Sequence, residues 1–102
     1  YMQDGDNELA LKKFQKALET DPNYVDAHNA LGLLRARLQQ FDEAEQSFQA
    51  ALRVDPGNSM ALNNYGQFLC QRKRFDEGEK MFMQAVENPL YRNAESAYNN
   101  AG

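Results

Sequence analysis

Few side chains in this chain have the chemistry to act on another molecule. They are one histidine (His28), one cysteine (Cys70), a short basic cluster (Arg72-Lys73-Arg74) and two asparagines set 34 residues apart, Asn29 and Asn63. A zinc site needs several nitrogen, sulfur or carboxylate ligands brought together, and no grouped cysteine and histidine accompanies His28, so helix packing is its expected role. Cys70 would need a base and an activating environment to be a nucleophile. No histidine motif supplies one, and a small, partly buried thiol accounts for it. A single cysteine also rules out an internal disulfide. The basic cluster reads as a solvated helix end. Met60, Met81 and Met83 offer adaptable apolar surface, although Met81 and Met83, two positions apart, cannot share a helical face. The asparagines are the more informative pair. A side-chain amide both donates and accepts, so two presented in step can hydrogen-bond to a peptide backbone, as an extended segment or a partner helix would require. The alternative is that both are solvated surface residues. The expected chemistry is binding without catalysis, cofactor or metal.

The step between the asparagines recurs along the chain. Phe14, Phe48 and Phe82 are separated by 34 residues each, as are Ala17, Ala51 and Ala85; Ala10, Ala44 and Gly78; Gly32 and Gly66; and the pairs Asp21-Pro22 and Asp55-Pro56. A period of this length marks a repeat of paired helices. The local pattern supplies the helices. Tyr1 to Gln3 reads as the tail of a helix stopping at Asp4-Gly5-Asp6, because glycine tolerates the left-handed geometry of a helix end. From about Asn7 to Thr20, Leu11, Phe14, Ala17 and Leu18 fall on one face. Further helices are expected at Val25–Leu38 with Ala27, Ala30, Leu31 and Leu34 inward, and at Asp42–Val54 with Ala44, Phe48, Ala51 and Leu52. A third pair is expected at Ser59–Gln71 and Asp76–Glu87, its core candidates being Leu62, Tyr65, Leu69, Phe82 and Val86, with a stop at Asn88-Pro89.

The residue types suit antiparallel helices in close contact. Gly32 and Gly66 fall where a partner helix crosses; the missing Cβ lets two backbones approach, at about 1 kcal/mol relative to alanine. Ala10, Ala44 and Gly78 are the matching small sites on the second helices. The three phenylalanines fill the space between repeats, each buried ring contributing roughly 1.5–3 kcal/mol by transfer from water. Proline after aspartate stops each second helix, because it disfavours helical geometry in the residue before it.

Composition narrows the partner. The 102 residues carry a formal net charge of −4, so there is no cationic footprint for nucleic acid or an anionic membrane surface, while a basic partner remains open. No apolar run approaches the roughly 18–20 residues of a spanning helix, and no charged and then apolar leader follows Tyr1.

Residues 25–58, VDAHNALGLLRARLQQFDEAEQSFQAALRVDPGN, resemble one complete tetratricopeptide repeat (TPR), matching its pattern at Leu31, Gly32, Ala44, Phe48, Ala51 and Pro56. They depart from it at His28, where the family favours a large ring, and at Arg35, where it favours tyrosine. Residues 59–92 fit through Leu62, Tyr65, Gly66, Leu69, Gly78, Phe82 and Ala85, with Pro89 shifted by one. The resemblance implies an all-α TPR solenoid of antiparallel helix pairs wound as a right-handed superhelix. Its expected divisions are 1–22, the end of a first repeat; 23–58 and 59–92, two full repeats; and 93–102, the start of a fourth, in which Tyr98-Asn99-Asn100-Ala101-Gly102 is displaced by two. Helices 7–20 and 95–102 each lack a neighbour in these residues, so uncovered apolar faces predict self-association or a longer ordered chain.

In TPR proteins the first helices of successive repeats line a concave groove. Carried onto this chain, that implies Asp26, Asn29, Leu33, Ala36 and Arg37 from one helix and Met60, Asn63, Gln67, Cys70 and Gln71 from the next. Clamping a terminal carboxylate needs lysine and arginine there; Asn29, Leu33, Asn63 and Gln67 argue against such a clamp.

A narrower resemblance covers Leu62–Val86, LNNYGQFLCQRKRFDEGEKMFMQAV, with Leu90–Gly102, LYRNAESAYNNAG. Together these are similar to the PilW/PilF family of type IV pilus biogenesis and stability proteins. The resemblance implies a periplasmic outer-membrane lipoprotein acting as a pilotin or assembly factor for the secretin pore, with secretin or other pilus-assembly components as partners. Its lipidated cysteine belongs at a mature N-terminus, and Cys70, inside a repeat helix, does not match it. A regulatory TPR segment of a larger enzyme and a cytosolic chaperone adaptor are the alternatives.

Overall fold

The computed structural model describes the backbone of residues 2–87 and the side chains of residues 6–87. Every regular element among them is a helix: α1 (Met2–Thr20), α2 (Val25–Arg37), α3 (Phe41–Val54), α4 (Ser59–Gln71) and α5 (Phe75–Val86). They fall into two compact units, the first reaching Pro56 and the second beginning at Gly57. The expected helix from Glu95, the stop at Asn88-Pro89 and the stretch Leu90–Gly102 lie outside the described residues.

In the first unit α1 packs on α2 and α2 on α3. The α2–α3 reversal takes three residues. Gln39 adopts a left-handed φ of 63°, its N–H donates to the Ala36 carbonyl, and the Gln40 N–H donates to the Arg35 carbonyl at 2.8 Å. Where α3 meets α2, a Cβ added to Gly32 would lie 2.7 Å from Phe48 Cε1, so the ring occupies the space that glycine leaves. Phe48, Ala44 and Ala51 are wholly covered, with Ala27, Leu31 and Leu34 also buried.

The second unit repeats this 34 residues later. Lys73 takes the Gln39 geometry, with φ 65°, and the Arg74 N–H donates to the Leu69 carbonyl at 2.8 Å. A Cβ on Gly66 would lie 2.8 Å from Phe82 Cε1. Gly78 is needed as well, because a Cβ there would meet Cys70 Sγ at 2.6 Å and the Gly66 carbonyl oxygen at 2.9 Å. Ala61, Leu62, Tyr65, Phe68, Leu69 and Ala85 form the core, with the Tyr65 and Phe68 rings stacked 6.2 Å apart.

Two expectations are corrected. The helix does not stop at Asp4-Gly5-Asp6, because α1 runs through it without a positive-φ glycine. Gly5 stands one repeat before Gln39, where the reversal would be expected, yet it takes helical geometry. Continuing adds a hydrogen bond per residue, which outweighs one helical glycine at about 1 kcal/mol. The periodic phenylalanines are also unequal. Phe14 and Phe82 are half-buried and Val86 is exposed, because repeat period fixes which way a side chain faces on its own helix and not how much of it the neighbouring helices cover.

Candidate functional site

The two first helices present their polar stripes differently. On α4, Met60 is 62% exposed, and Asn63, Gln67 and Gln71 follow it on the open face. The helix is held at its start by Asn58, whose side-chain Oδ1 accepts from the Ala61 N–H at 2.8 Å. This stripe combines amide donors and acceptors with one flexible apolar side chain. Cys70 is not part of it: its sulfur lies against Gly78 of α5, on the side where the helices of the unit meet.

On α2, Asp26, Leu33 and Arg37 are exposed and Ala36 is half-buried. Asn29 breaks the parallel with Asn63. It is only 2% exposed, and neither atom of its amide has a hydrogen-bond partner. An unmet buried polar group costs about 1–3 kcal/mol. Helical period places Asn29 beside exposed Leu33, so its cover is tertiary and invisible to a pattern read along one helix. The expected pair of presented amides is therefore reduced to Asn63.

The other chemistry-bearing residues take structural roles. His28 Nε2 is 2.8 Å from the Pro22 carbonyl oxygen, a contact that fixes the ring against the α1–α2 turn. Arg74 holds Glu77 through two guanidinium nitrogens at the start of α5, so the basic cluster is partly neutralised. Its middle member, Lys73, makes the left-handed turn. No helix among the described residues is long and apolar enough to cross a membrane.

Paired helices closed by register-matched turns, with glycine opposite phenylalanine in each pair, have counterparts among known proteins. A TPR repeat profile matches residues 1–39, and a tetratricopeptide repeat profile matches residues 30–97. The chain belongs to the tetratricopeptide repeat family. As a TPR segment it is a protein-interaction scaffold.

Solved TPR structures share its fold. A structure described as the functional characterisation of Pseudomonas aeruginosa PilF is 37% identical with a TM-score of 0.79, over 89% of this chain and 41% of that one. A crystal structure of MamA superposes at a TM-score of 0.78 and 22% identity, over 91% of this chain and 54% of that one. The second TPR of Spaghetti (RPAP3), bound to the HSP90 peptide SRMEEVD, matches at 0.74 and 17% identity, over 86% of this chain and 82% of its own. The TPR segment thus spans about half of MamA and about two fifths of PilF. Comparison with curated protein sequences gave no significant match.

Proposed function

We propose that this TPR segment is a non-enzymatic scaffold for type IV pilus biogenesis, acting in a pilotin-like factor that helps the secretin assemble at the periplasmic face of the outer membrane. The observation that carries this is the 37% identity to PilF over 89% of the chain, above that of three other structures it superposes on, two of MamA at 22% and 29% and the RPAP3 repeat at 17%. A shared helical scaffold alone accounts for the TM-scores, so this reading leans on the sequence identity and not on the superposition.

The binding surfaces in this reading are two exposed stripes, one on each unit: Asp26, Leu33 and Arg37 on α2 of the first, and Met60, Asn63, Gln67 and Gln71 on α4 of the second. Asn63 and Gln67 supply hydrogen bonds to a partner's backbone, while Leu33 and Met60 supply apolar contact. The carboxylate-clamping alternative has less support, because α4 carries no lysine or arginine on its stripe.

The test is capture by the full-length parent protein from a membrane extract of its source cell, with wild type beside Asn63→Ala/Gln67→Ala. Wild type is expected to recover a secretin or another pilus-assembly component and the variant to recover much less. Recovery of a cytosolic chaperone instead, competed by a peptide with a free C-terminal carboxylate, would overturn the pilus assignment.

A further inference from the structure

The two positions at which residues 25–58 depart from the TPR pattern lie in one place. His28 and Arg35 both line a cleft of about 360 Å³ formed by α1, α2 and α3 of the first unit. One repeat later their equivalents are Leu62 and Leu69, each only 1% exposed in the core of the second unit. At this register the second unit is closed by leucines, and the first is left open with cationic chemistry at the opening.

The cleft has an apolar floor and a fixed polar wall. Leu18, Leu31 and Ala50 provide the floor. Ser47 is 4% exposed and accepts a 3.2 Å hydrogen bond from Arg35 Nη1, which positions the guanidinium and leaves its other N–H groups as donors. A second cleft of about 350 Å³ shares His28 and Ala50 with the first and is lined further along by Arg53. Two guanidiniums therefore mark the two clefts, and Glu19 is the one carboxylate lining them. This surface is cationic on a chain whose net charge is −4. It lies on the face of α2 opposite Asp26, Leu33 and Arg37, since residues 28, 31 and 35 follow the helical period on their own side.

We propose that this joined cleft is a second protein-binding site, taking an acidic segment of a partner in which apolar side chains alternate with carboxylates. An apolar side chain rests on Leu18, Leu31 and Ala50, one carboxylate meets the Arg35 guanidinium, and a second is within the field of Arg53. The site is independent of the pilus assignment and of the exposed stripes, so each can fail alone.

The test uses the whole ¹⁵N-labelled chain and a short synthetic peptide of alternating leucine and glutamate, amidated at its C-terminus so that only side-chain carboxylates are presented. The glutamine counterpart and inorganic phosphate are the controls. The acidic peptide is expected to shift the amide resonances of His28, Arg35, Ala50 and Arg53, with little response to either control. Arg35→Leu copies Leu69 and is expected to weaken binding about tenfold, the equivalent of one charge-assisted contact. Arg53→Gln, at an exposed site outside the core, is expected to weaken it several-fold with the fold unchanged by circular dichroism. Absence of shifts, equal shifts with the glutamine peptide, or the same shifts with phosphate at the same concentration would each overturn the proposal.

Discussion

The α2–α3 and α4–α5 pairs are built on one register and spend it differently. Both close with a left-handed residue, Gln39 or Lys73, and both set a glycine against a phenylalanine ring. The α4–α5 pair fills its first helix with Leu62, Tyr65 and Leu69; α2 sets Leu31 in the place of Tyr65 and has His28 and Arg35 in place of the two leucines, and a cleft results. Volume is also exchanged across each pair. Ala36 and Ala44 in the first unit stand where Cys70 and Gly78 stand in the second, so a larger side chain on α4 is met by a smaller one on α5. A repeat therefore specifies a backbone and a crossing point, and individual substitutions within it decide whether a site is core or surface.

The largest expected difference lies in the phenylalanines. Phe48 is wholly buried and Phe82 half-buried, although they are repeat equivalents. Phe48→Ala should cost about 3–5 kcal/mol, through lost transfer energy and a cavity beside Gly32. Phe82→Ala should cost about 1–2 kcal/mol, because part of the ring is already in water. Urea unfolding of both variants checks this, and equal losses would show that α5 is as well covered in solution as α3.

A smaller effect separates the Cys70/Gly78 and Ala36/Ala44 arrangements. Gly78→Ala forces a Cβ against Cys70 Sγ and should destabilise by about 1–3 kcal/mol despite alanine's better helix propensity. Cys70→Ala leaves a small void. The double variant Cys70→Ala/Gly78→Ala recreates the first unit's pairing and should recover at least about 1 kcal/mol of the Gly78→Ala loss, a coupling read from a double-mutant cycle in thermal or urea unfolding. Additive losses would instead identify the Gly66 carbonyl oxygen, 2.9 Å from the same Cβ, as the obstacle.

These contrasts explain what was legible in the sequence. Periodicity and turn residues located α2 to α5 to within a residue at each end, because proline, the reversals and the apolar spacing are local signals. The crossing glycines were legible for the same reason: a repeated Gly32/Gly66 opposite a repeated phenylalanine has few other causes. The period could not report cover. It made Asn29 and Asn63 equivalent where one is buried and orphaned, placed Cys70 on an open stripe when its sulfur meets Gly78, and assigned Val86 to a core from which it is exposed. It registered His28 and Arg35 as departures, but the cleft they share depends on three helices meeting and is not written along any one of them.

The smallest contrast is at the helix starts. Asn58 and Tyr24 are repeat equivalents with nearly the same backbone, φ −66° and ψ 110° against φ −77° and ψ 97°, and each carbonyl accepts the first helical hydrogen bond, from Leu62 and His28 respectively. Only Asn58 adds a side-chain cap, to the Ala61 N–H; Tyr24 leaves the corresponding donor on Ala27 without one. Asn58→Ala should therefore cost about 1 kcal/mol, and Tyr24→Asn should gain up to the same amount, since the backbone there already has the geometry the cap requires. Thermal unfolding of the two variants reads both signs. If Tyr24→Asn gives no gain, the half-exposed tyrosine ring contributes to stability through apolar contact that the cap only replaces, and the two helix starts would be equivalent in energy while differing in chemistry.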